Sequence, residues 1–235
     1  MESQFSRTER MLGEAALKKL AASHVAVFGL GGVGGAAVEA LARAGVGALD
    51  LIDNDTVAKS NLHRQLIATH ETLGMEKTEA AAARVRAINP ACAVRGYGLF
   101  YLPETAEQID LAQYDYIVDA VDTVTAKLTL AERAAAAGVP LISCMGTGNK
   151  LDPTQFRVDD LFKTSGDPLA RVMRNECRKR GIRKLKVVWS PEPPLQPESA
   201  PENGARRAVP GSVSFVPPVA GFVLAAEVVK DLIGL

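Results

Sequence analysis

The chain has 235 residues, 47% of them hydrophobic, and its 27 Lys and Arg balance 27 Asp and Glu. This is enough for one large α/β domain or one domain with an appendage, and the zero formal charge excludes a protein-wide electrostatic partner. Three cysteines, at 92, 144 and 177, form no C-x-x-C pair, which argues against a disulfide framework and a four-thiolate zinc site.

The N-terminus has no signal-like apolar core, and no apolar run approaches the ~18 residues of a membrane span. The expectation is a cytoplasmic protein with no membrane partner. Residues 8–22 carry one amphipathic helical pattern, with Met11, Leu12, Ala15, Ala16 and Leu20 on its apolar face. Arg7 and Arg10 fall at its start, where the helix dipole disfavours cations; either an anion from elsewhere compensates them or they are two solvated arginines.

Residues 24–28 read as a buried strand, followed by Gly29-Leu-Gly31-Gly32-Val-Gly34-Gly35, a small-residue helix over 32–44, a strand over 48–52, and Asp53. This is the opening βαβ unit of a nucleotide-binding sheet. Gly29 allows the tight turn, Gly31 lets backbone approach a phosphate, and Gly34 allows close helix–strand packing. The helix start behind Gly32 offers unpaired N–H groups to an anion. The loop after the second strand, Asp53-Asn-Asp55 through Asn61, Arg64 and Gln65, is dense in hydrogen-bonding groups and lies where parallel sheets place ligands.

A helix over 79–88 follows Lys77, and a weak strand spans 93–97. A short helix over 103–109 leads to a strand over 116–122 with Asp122 at its carboxyl end. A helix over 126–137 and a strand over 140–144 complete five strands alternating with helices. The fold class is therefore α/β, a doubly wound, mostly parallel sheet with a Rossmann-like nucleotide core. The expected organisation is an N-terminal helix (1–23), a core (24–150) and an irregular substrate-side extension (151–235).

In that extension, 155–158 reads as an edge strand, 168–180 as a basic helix, 186–190 and 212–216 as short strands, and 218–232 as an apolar helix. The proline-rich stretch within 191–210 reads as an exposed, mobile loop. Between 171 and 186 eight cations stand against one acid, Glu176. Arg171, Arg174, Arg178, Lys179 and Arg180 on the helix are candidates for holding RNA phosphates, against the plainer reading of a solvated face.

A dinucleotide needs the glycine amides and Asp53 but not two further cations. Arg64 and Lys77, with Asp122 after the fourth strand, instead suit a triphosphate and Mg²⁺, which takes oxygen ligands and bridges phosphates. Plainer readings stand beside these. Lys77 would be a solvated residue at a helix start, and Asp122 a helix cap. An NAD(P)-binding oxidoreductase remains an alternative.

The run Asp53-x-Asp55-x-Val57-x-x-Ser60-Asn61-Leu62-x-Arg64-Gln65, followed by Gly74-x-x-Lys77 and Asp119-x-x-Asp122, resembles the ATP-binding signature of the ubiquitin-activating-enzyme-like adenylyltransferases. These include activators of the ThiS and MoaD sulfur carriers. The flanks, Thr8-Glu-Arg10-Met-Leu-Gly13 and Asp152-Pro-Thr-Gln155-Phe-Arg-Val158-x-Asp160-Leu-x-Lys163, resemble the branch that dehydrates threonylcarbamoyladenosine in tRNA. The resemblance implies ATP and Mg²⁺ as cofactors, a tRNA substrate and a homodimer, and is compatible with a sulfur-transfer partner protein.

By that resemblance Asp53 binds the ribose hydroxyls, Asn61, Arg64, Gln65 and Lys77 contact the phosphates, and Asp122 organises the metal. Arg10 reaches across the homodimer to the partner's ATP. Arg10, Arg64, Lys77 and Asp122 would carry the catalysis. Gly29, Gly31, Gly32, Gly34 and Asp55 complete the nucleotide site. The alternative within the family is activation of the C-terminal glycine of a ubiquitin-like sulfur carrier. The absence of paired C-x-x-C motifs favours the tRNA branch.

Overall fold

A computed structural model describes residues 3–196 and 210–235. Seven strands form one sheet: β1 (His24–Phe28), β2 (Ala48–Ile52), β3 (Ala93–Tyr97), β4 (Tyr116–Asp119), β5 (Leu141–Cys144), β6 (Arg157–Asp160) and β7 (Lys186–Trp189). Their order is β3-β2-β1-β4-β5-β7-β6. All pairs are parallel except β6 with β7 at one edge. The chain therefore winds outward in both directions from the β1–β4 boundary, the switch point where such sheets bind ligands.

Burial on both faces explains the continuous apolar runs of the central strands. Val25, Val27, Leu49 and Leu51 pack toward α3 (Gly32–Ala44), α4 (Lys77–Ile88) and α7 (Val216–Ile233). Ala26, Phe28 and Ile52 face the opposite layer, with Leu130 and Ala134 of α5 (Val124–Ala137). A third cluster joins Met173 and Cys177 of α6 (Pro168–Lys179) to Val187 and Trp189 of β7. Helices α3 and α7 touch backbone to backbone: a methyl at Gly221 would lie 2.2 Å from the Val33 carbonyl oxygen.

Several expectations are corrected. The single helix over 8–22 is two, α1 (Ser6–Leu12) and α2 (Glu14–Ala22), separated by Gly13 at φ +82°. The break splits the apolar stripe, so Ala16 and Leu20 are buried while Met11 is 85% exposed. It also places Arg10 in the last turn of α1, where a cation is favoured, so the dipole conflict disappears for Arg10, while Arg7 stays in the first turn. The strand expected over 212–216 is absent. Ser-Val-Ser-Phe-Val alternates like a strand, but Pro217 and Pro218 lack the donors a strand needs and suit a helix start, and α7 begins at Val216.

The helix over 103–109 is reduced to one 3-10 turn, Ala106–Gln108. Strand β4 stops at Asp119, so Asp122 lies in the loop before α5 rather than at the strand end. The edge strand β6 starts at Arg157, after a 3-10 turn over Pro153–Gln155. Most of the loop expected over 191–210 lies outside the described residues; the described residues at its two ends, Leu195 and Gly211, hydrogen-bond to Asn149.

Candidate active site

A cavity of about 610 Å³ opens at the carboxyl ends of β1, β2 and β4. Its floor is the glycine turn. Gly29 has φ +85°, and a methyl there would lie 2.7 Å from the Ala120 carbonyl oxygen. A methyl at Gly34 would lie 1.7 Å from the Gly29 carbonyl oxygen, so Gly34 is a packing residue and does not line the cavity. At Gly31 a methyl would meet only Gln65 Nε2 at 3.9 Å, which leaves the backbone open to a close ligand. Gly32 is wedged under Pro217, whose Cβ would be 2.9 Å from an added methyl.

Helix α3 starts here with Gly31 as its N-cap, no side-chain cap and no acid in its first turn. Its first amides and the positive end of its dipole are available to an anion. Asp53 is held at the turn: its Oδ2 accepts the Leu30 N–H at 2.6 Å and its Oδ1 accepts the Asp55 N–H at 2.8 Å. A carboxylate has about four acceptor positions, so Asp53 keeps capacity for hydroxyl donors.

Lys77 lies on the first turn of α4 and is 5% exposed, which rules out the solvated reading. Its Nζ lies 2.7 Å from Asp55 Oδ2 and 3.9 Å from Asp53 Oδ1. The Asp55 side chain is 61% exposed, so this pair is weak in water and exchangeable for a phosphate. Arg64 Nη1 donates to the Ser60 carbonyl at 2.8 Å and to His63 Nε2 at 2.8 Å, the ring nitrogen accepting because a guanidinium only donates. Asn61 and Gln65 also line the cavity; Gln65 is buried and its Oε1 has no partner among the described residues.

Asp122 lines the same cavity, exposed, with only its neighbour's Thr123 Oγ1 at 3.3 Å. It does not cap α5, whose N-cap is Thr123. No group of three or more His, Cys, Asp or Glu able to hold a metal occurs among the described residues. This donor set does not suit a resident, all-protein metal site. It does suit Mg²⁺ arriving with phosphates, which takes one or two carboxylates and fills its remaining positions with phosphate and water.

Of the residues read from the sequence, the structure brings Gly29, Gly31, Gly32, Asp53, Asp55, Asn61, Arg64, Gln65, Lys77 and Asp122 to one cavity. It does not bring Arg10, which is exposed on α1 outside the lining. The basic helix is also less free than its composition implies. Arg174 donates to Thr164 Oγ1, and Arg178 stacks over Phe162 at 5.2 Å. Lys179 and Arg180 both pair with Glu176 at 2.7 Å, and Lys186 turns inward to Glu227 and Asp231. Arg171, Arg183 and Lys184 remain exposed without ion pairs among the described residues.

All three cysteines are buried, and burial pushes the Cys144 thiol up to about 12 and those of Cys92 and Cys177 up to about 11. None is a ready nucleophile.

Sequence reasoning missed the support beneath the site. Lys127 on α5 is 1% exposed, and its Nζ reaches both oxygens of Asp119 (3.2 and 3.1 Å), Ser143 Oγ (3.2 Å) and the Cys144 carbonyl (2.7 Å). Asp119 Oδ1 also accepts the Val121 N–H at 3.2 Å, so this network holds the loop that carries Asp122. The available signal was a polar residue closing each of two apolar strands, Tyr-Ile-Val-Asp119 and Leu-Ile-Ser143-Cys.

A model of the ThiF family matches residues 5–235. The chain belongs to the ThiF family. It is 43% identical to the tRNA threonylcarbamoyladenosine dehydratase of Bacillus subtilis over 99% of this chain and 96% of that protein. It is 36% identical to the Escherichia coli protein of the same name, over 97% of this chain and 93% of the relative. The solved structure of E. coli tRNA N6-threonylcarbamoyladenosine dehydratase in complex with ATP superposes with a TM-score of 0.90 at 36% identity, covering 98% of this chain and 94% of that one. The same enzyme has also been solved in complex with AMP, again at a TM-score of 0.90.

Proposed function

We propose that this chain is an ATP-dependent dehydratase that cyclises threonylcarbamoyladenosine in tRNA by activating its carboxylate. The observation that carries the reading is full-length ThiF-family similarity to dehydratases of that name, joined to a cavity that sets Arg64, Lys77 and Asp122 around an open glycine turn.

A free carboxylate resists attack because its leaving group would be oxide. Attack of one carboxylate oxygen on the α-phosphorus of ATP breaks the α–β phosphoanhydride bond and releases pyrophosphate. The acyl-adenylate then loses AMP as a nucleophilic atom of the carbamoyl group closes on the acyl carbon and gives up its proton. The net loss from the nucleoside is one water.

In this scheme the amides of the glycine turn and α3 bind phosphate, and Asp53 takes the ribose hydroxyls. Asn61, Gln65, Arg64 and Lys77 hold phosphate oxygens. The two cations oppose the charge that grows on the phosphoryl group, which is the main catalytic contribution expected in such a transfer. Asp122 would hold Mg²⁺, which neutralises phosphate charge when bound. Arg10, remote from its own cavity, would serve the site of a second copy in a homodimer. The unpaired cations Arg171, Arg183 and Lys184 extend the basic face of α6 on which tRNA phosphates would rest.

The deciding experiment is pyrophosphate release from ATP in the presence of threonylcarbamoyl-modified tRNA. Stimulation by that RNA supports the reading. Stimulation by a Gly-Gly-tailed carrier protein instead would move the chain to sulfur-carrier activation. Mass spectrometry of tRNA nucleosides from cells lacking the protein should show the open form accumulating.

A further inference from the structure

The groups read as holding the nucleoside and its phosphates lie on one side of the switch point, and only Asp122 follows β4 on the other. The glycine turn follows β1, Asp53 and Asp55 follow β2, and Lys77 opens the helix between β2 and β3. Across the β1–β4 boundary the same cavity has a second wall, made by Thr147 and Gly148 after β5 and by Pro210, Gly211 and Ser212 before α7. The ATP scheme uses none of these residues.

This wall is built around Asn149, the sole non-glycine residue with positive φ among the described residues, at +57°. Asn is one of the few side chains that tolerate that conformation. Such a residue persists only where its surroundings over-determine it, and here three bonds do so. The Asn149 N–H donates to the Gly211 carbonyl at 2.8 Å, and its Oδ1 accepts the Gly211 N–H at 2.6 Å. Its own carbonyl accepts the Leu195 N–H at 2.7 Å.

Two neighbours hold the arrangement from either side. A methyl at Gly148 would lie 2.7 Å from Pro210 Cβ, so the two segments touch at backbone distance. Lys150, 2% exposed, anchors the loop with Nζ bonds to Asp167 Oδ2 at 3.1 Å and the Ser190 carbonyl at 2.8 Å. The backbone polar groups are thus committed to holding the wall. Thr147 and Ser212 line the cavity, and their hydroxyls bond to no other described residue.

We propose that this wall is the subsite for the amino-acid part of the substrate. The Thr147 and Ser212 hydroxyls recognise its β-hydroxyl, and Asn149 positions them. The inference rests on the dehydratase reading above. The chemistry fits the placement. The reacting carboxyl carbon must sit at the α-phosphate near Arg64, and the β-carbon bearing the hydroxyl is two bonds away, on the side not taken by the nucleotide. Hydroxyls pair with a hydroxyl in either donor direction. A carrier protein ending in glycine has no side chain for such a wall to read.

The test uses the full-length enzyme and two RNAs, one carrying the threonylcarbamoyl group and one its 2-aminobutyryl analogue, which lacks only the hydroxyl. The wild-type enzyme should favour the threonyl RNA in kcat/KM by about tenfold, the loss expected when hydroxyl bonds to a partly solvated site go unmade. Thr147→Val with Ser212→Ala should bring that ratio close to one by raising KM for the threonyl RNA, with KM for ATP unchanged. Asn149→Asp keeps the Oδ1 acceptor and should keep the ratio; Asn149→Ala should lose it. A double variant that turns over RNA with the wild-type preference overturns the subsite and leaves the dehydratase reading intact. So does a wild-type ratio of one. A wild-type enzyme that turns over neither RNA overturns the dehydratase reading and the subsite with it.

Discussion

Lys127 offers the sharpest test of how the site is held. Both members of the Lys127–Asp119 pair are buried, at 1% and 0% side-chain exposure, 3.1 Å apart. Lys127→Met would leave the Asp119 carboxylate in the core with only Ser143 Oγ at 2.5 Å and the Val121 N–H as partners. Breaking a buried pair from one side costs about 3–5 kcal/mol, or roughly 6–20 °C of melting temperature in a chain of this size. Lys127→Met with Asp119→Asn removes both charges while keeping an acceptor for Val121. Most of the melting temperature should return, because neutral replacement of a buried pair is often close to cost-free.

Activity should not return with it. Lys127 ties the loop after β4 to the Cys144 carbonyl at the end of β5, and its backbone N–H bonds the Thr123 carbonyl at 3.1 Å. Without the ammonium, Asp122 loses its fixed position, and turnover should stay at least about tenfold down, the scale at which positioning errors act. Calorimetry and pyrophosphate release on the two variants read these effects separately. A double variant with wild-type turnover, or a single variant with no loss of melting temperature, would refute the reasoning.

Three further outcomes are expected. Mixing Arg10→Ala with Lys77→Ala protomers should restore up to about a quarter of wild-type sites if Arg10 acts across a two-fold dimer; if Arg10 acts within its own chain, pyrophosphate release from the mixture stays at the level of the parents. Binding of tRNA should weaken with salt. Arg171→Ala and Arg183→Ala should each lower the slope of log affinity against log salt by about one, whereas Lys186→Ala, its cation already paired inward, should not. In acid the fold should lose stability through Glu39. Burial raises its pKa, but hydrogen bonds from Arg84 and Arg43 outweigh burial and hold the carboxyl below its ordinary range. A depressed acid contributes stability above its unfolded pKa and loses it as pH falls through the folded value. Glu39→Gln should therefore flatten the fall in melting temperature below about pH 4.5, and an unchanged acid limb would rule the group out.

The nucleotide half of the site was legible because its determinants are local. A glycine turn between a strand and a helix, and a carboxylate one βαβ unit later, are adjacent in sequence and in space. Arg64 and Lys77 sit on the one connection that leaves the same strand end, so they could be placed without tertiary knowledge. The errors lie where long-range packing overrides local pattern. Residues 8–22 satisfy a helical period throughout, yet the chain turns at Gly13 and leaves Met11 outside. Residues 212–216 alternate like a strand but run irregularly into a turn that opens α7, which packs on α3 through Gly221. The basic run looked uniform because composition does not tell that Lys186 points at Asp231, 45 residues away. No pattern marks Asn149: its role depends on Gly211, 62 positions later.

The distribution of buried charge argues that the carboxyl edge of the sheet is shaped for geometry rather than for stability. Elsewhere the central strands bury mainly apolar residues on both faces, Asp50 of β2 being an exception. At this edge, besides Lys77 of the phosphate site, two lysines are buried, Lys127 under the loop after β4 and Lys150 in the loop after β5, each paired with an aspartate of near-zero exposure. Apolar side chains of similar volume in both places are often neutral in folding free energy or a gain. What they could not do is fix two to four oxygen atoms from separate elements at once. Lys127 does this for Asp119, Ser143 and Cys144, and Lys150 for Asp167 and Ser190. The two hubs meet through β5, and the loops they fix form the β4 side and the second wall of the cavity. A sheet that needed only to bind ATP could manage with the glycine turn, Asp53, Arg64 and Lys77. A sheet that must bring a second reactant to the α-phosphate needs the β4 and β5 loops held in register with it, and the buried lysines stand where that register is set.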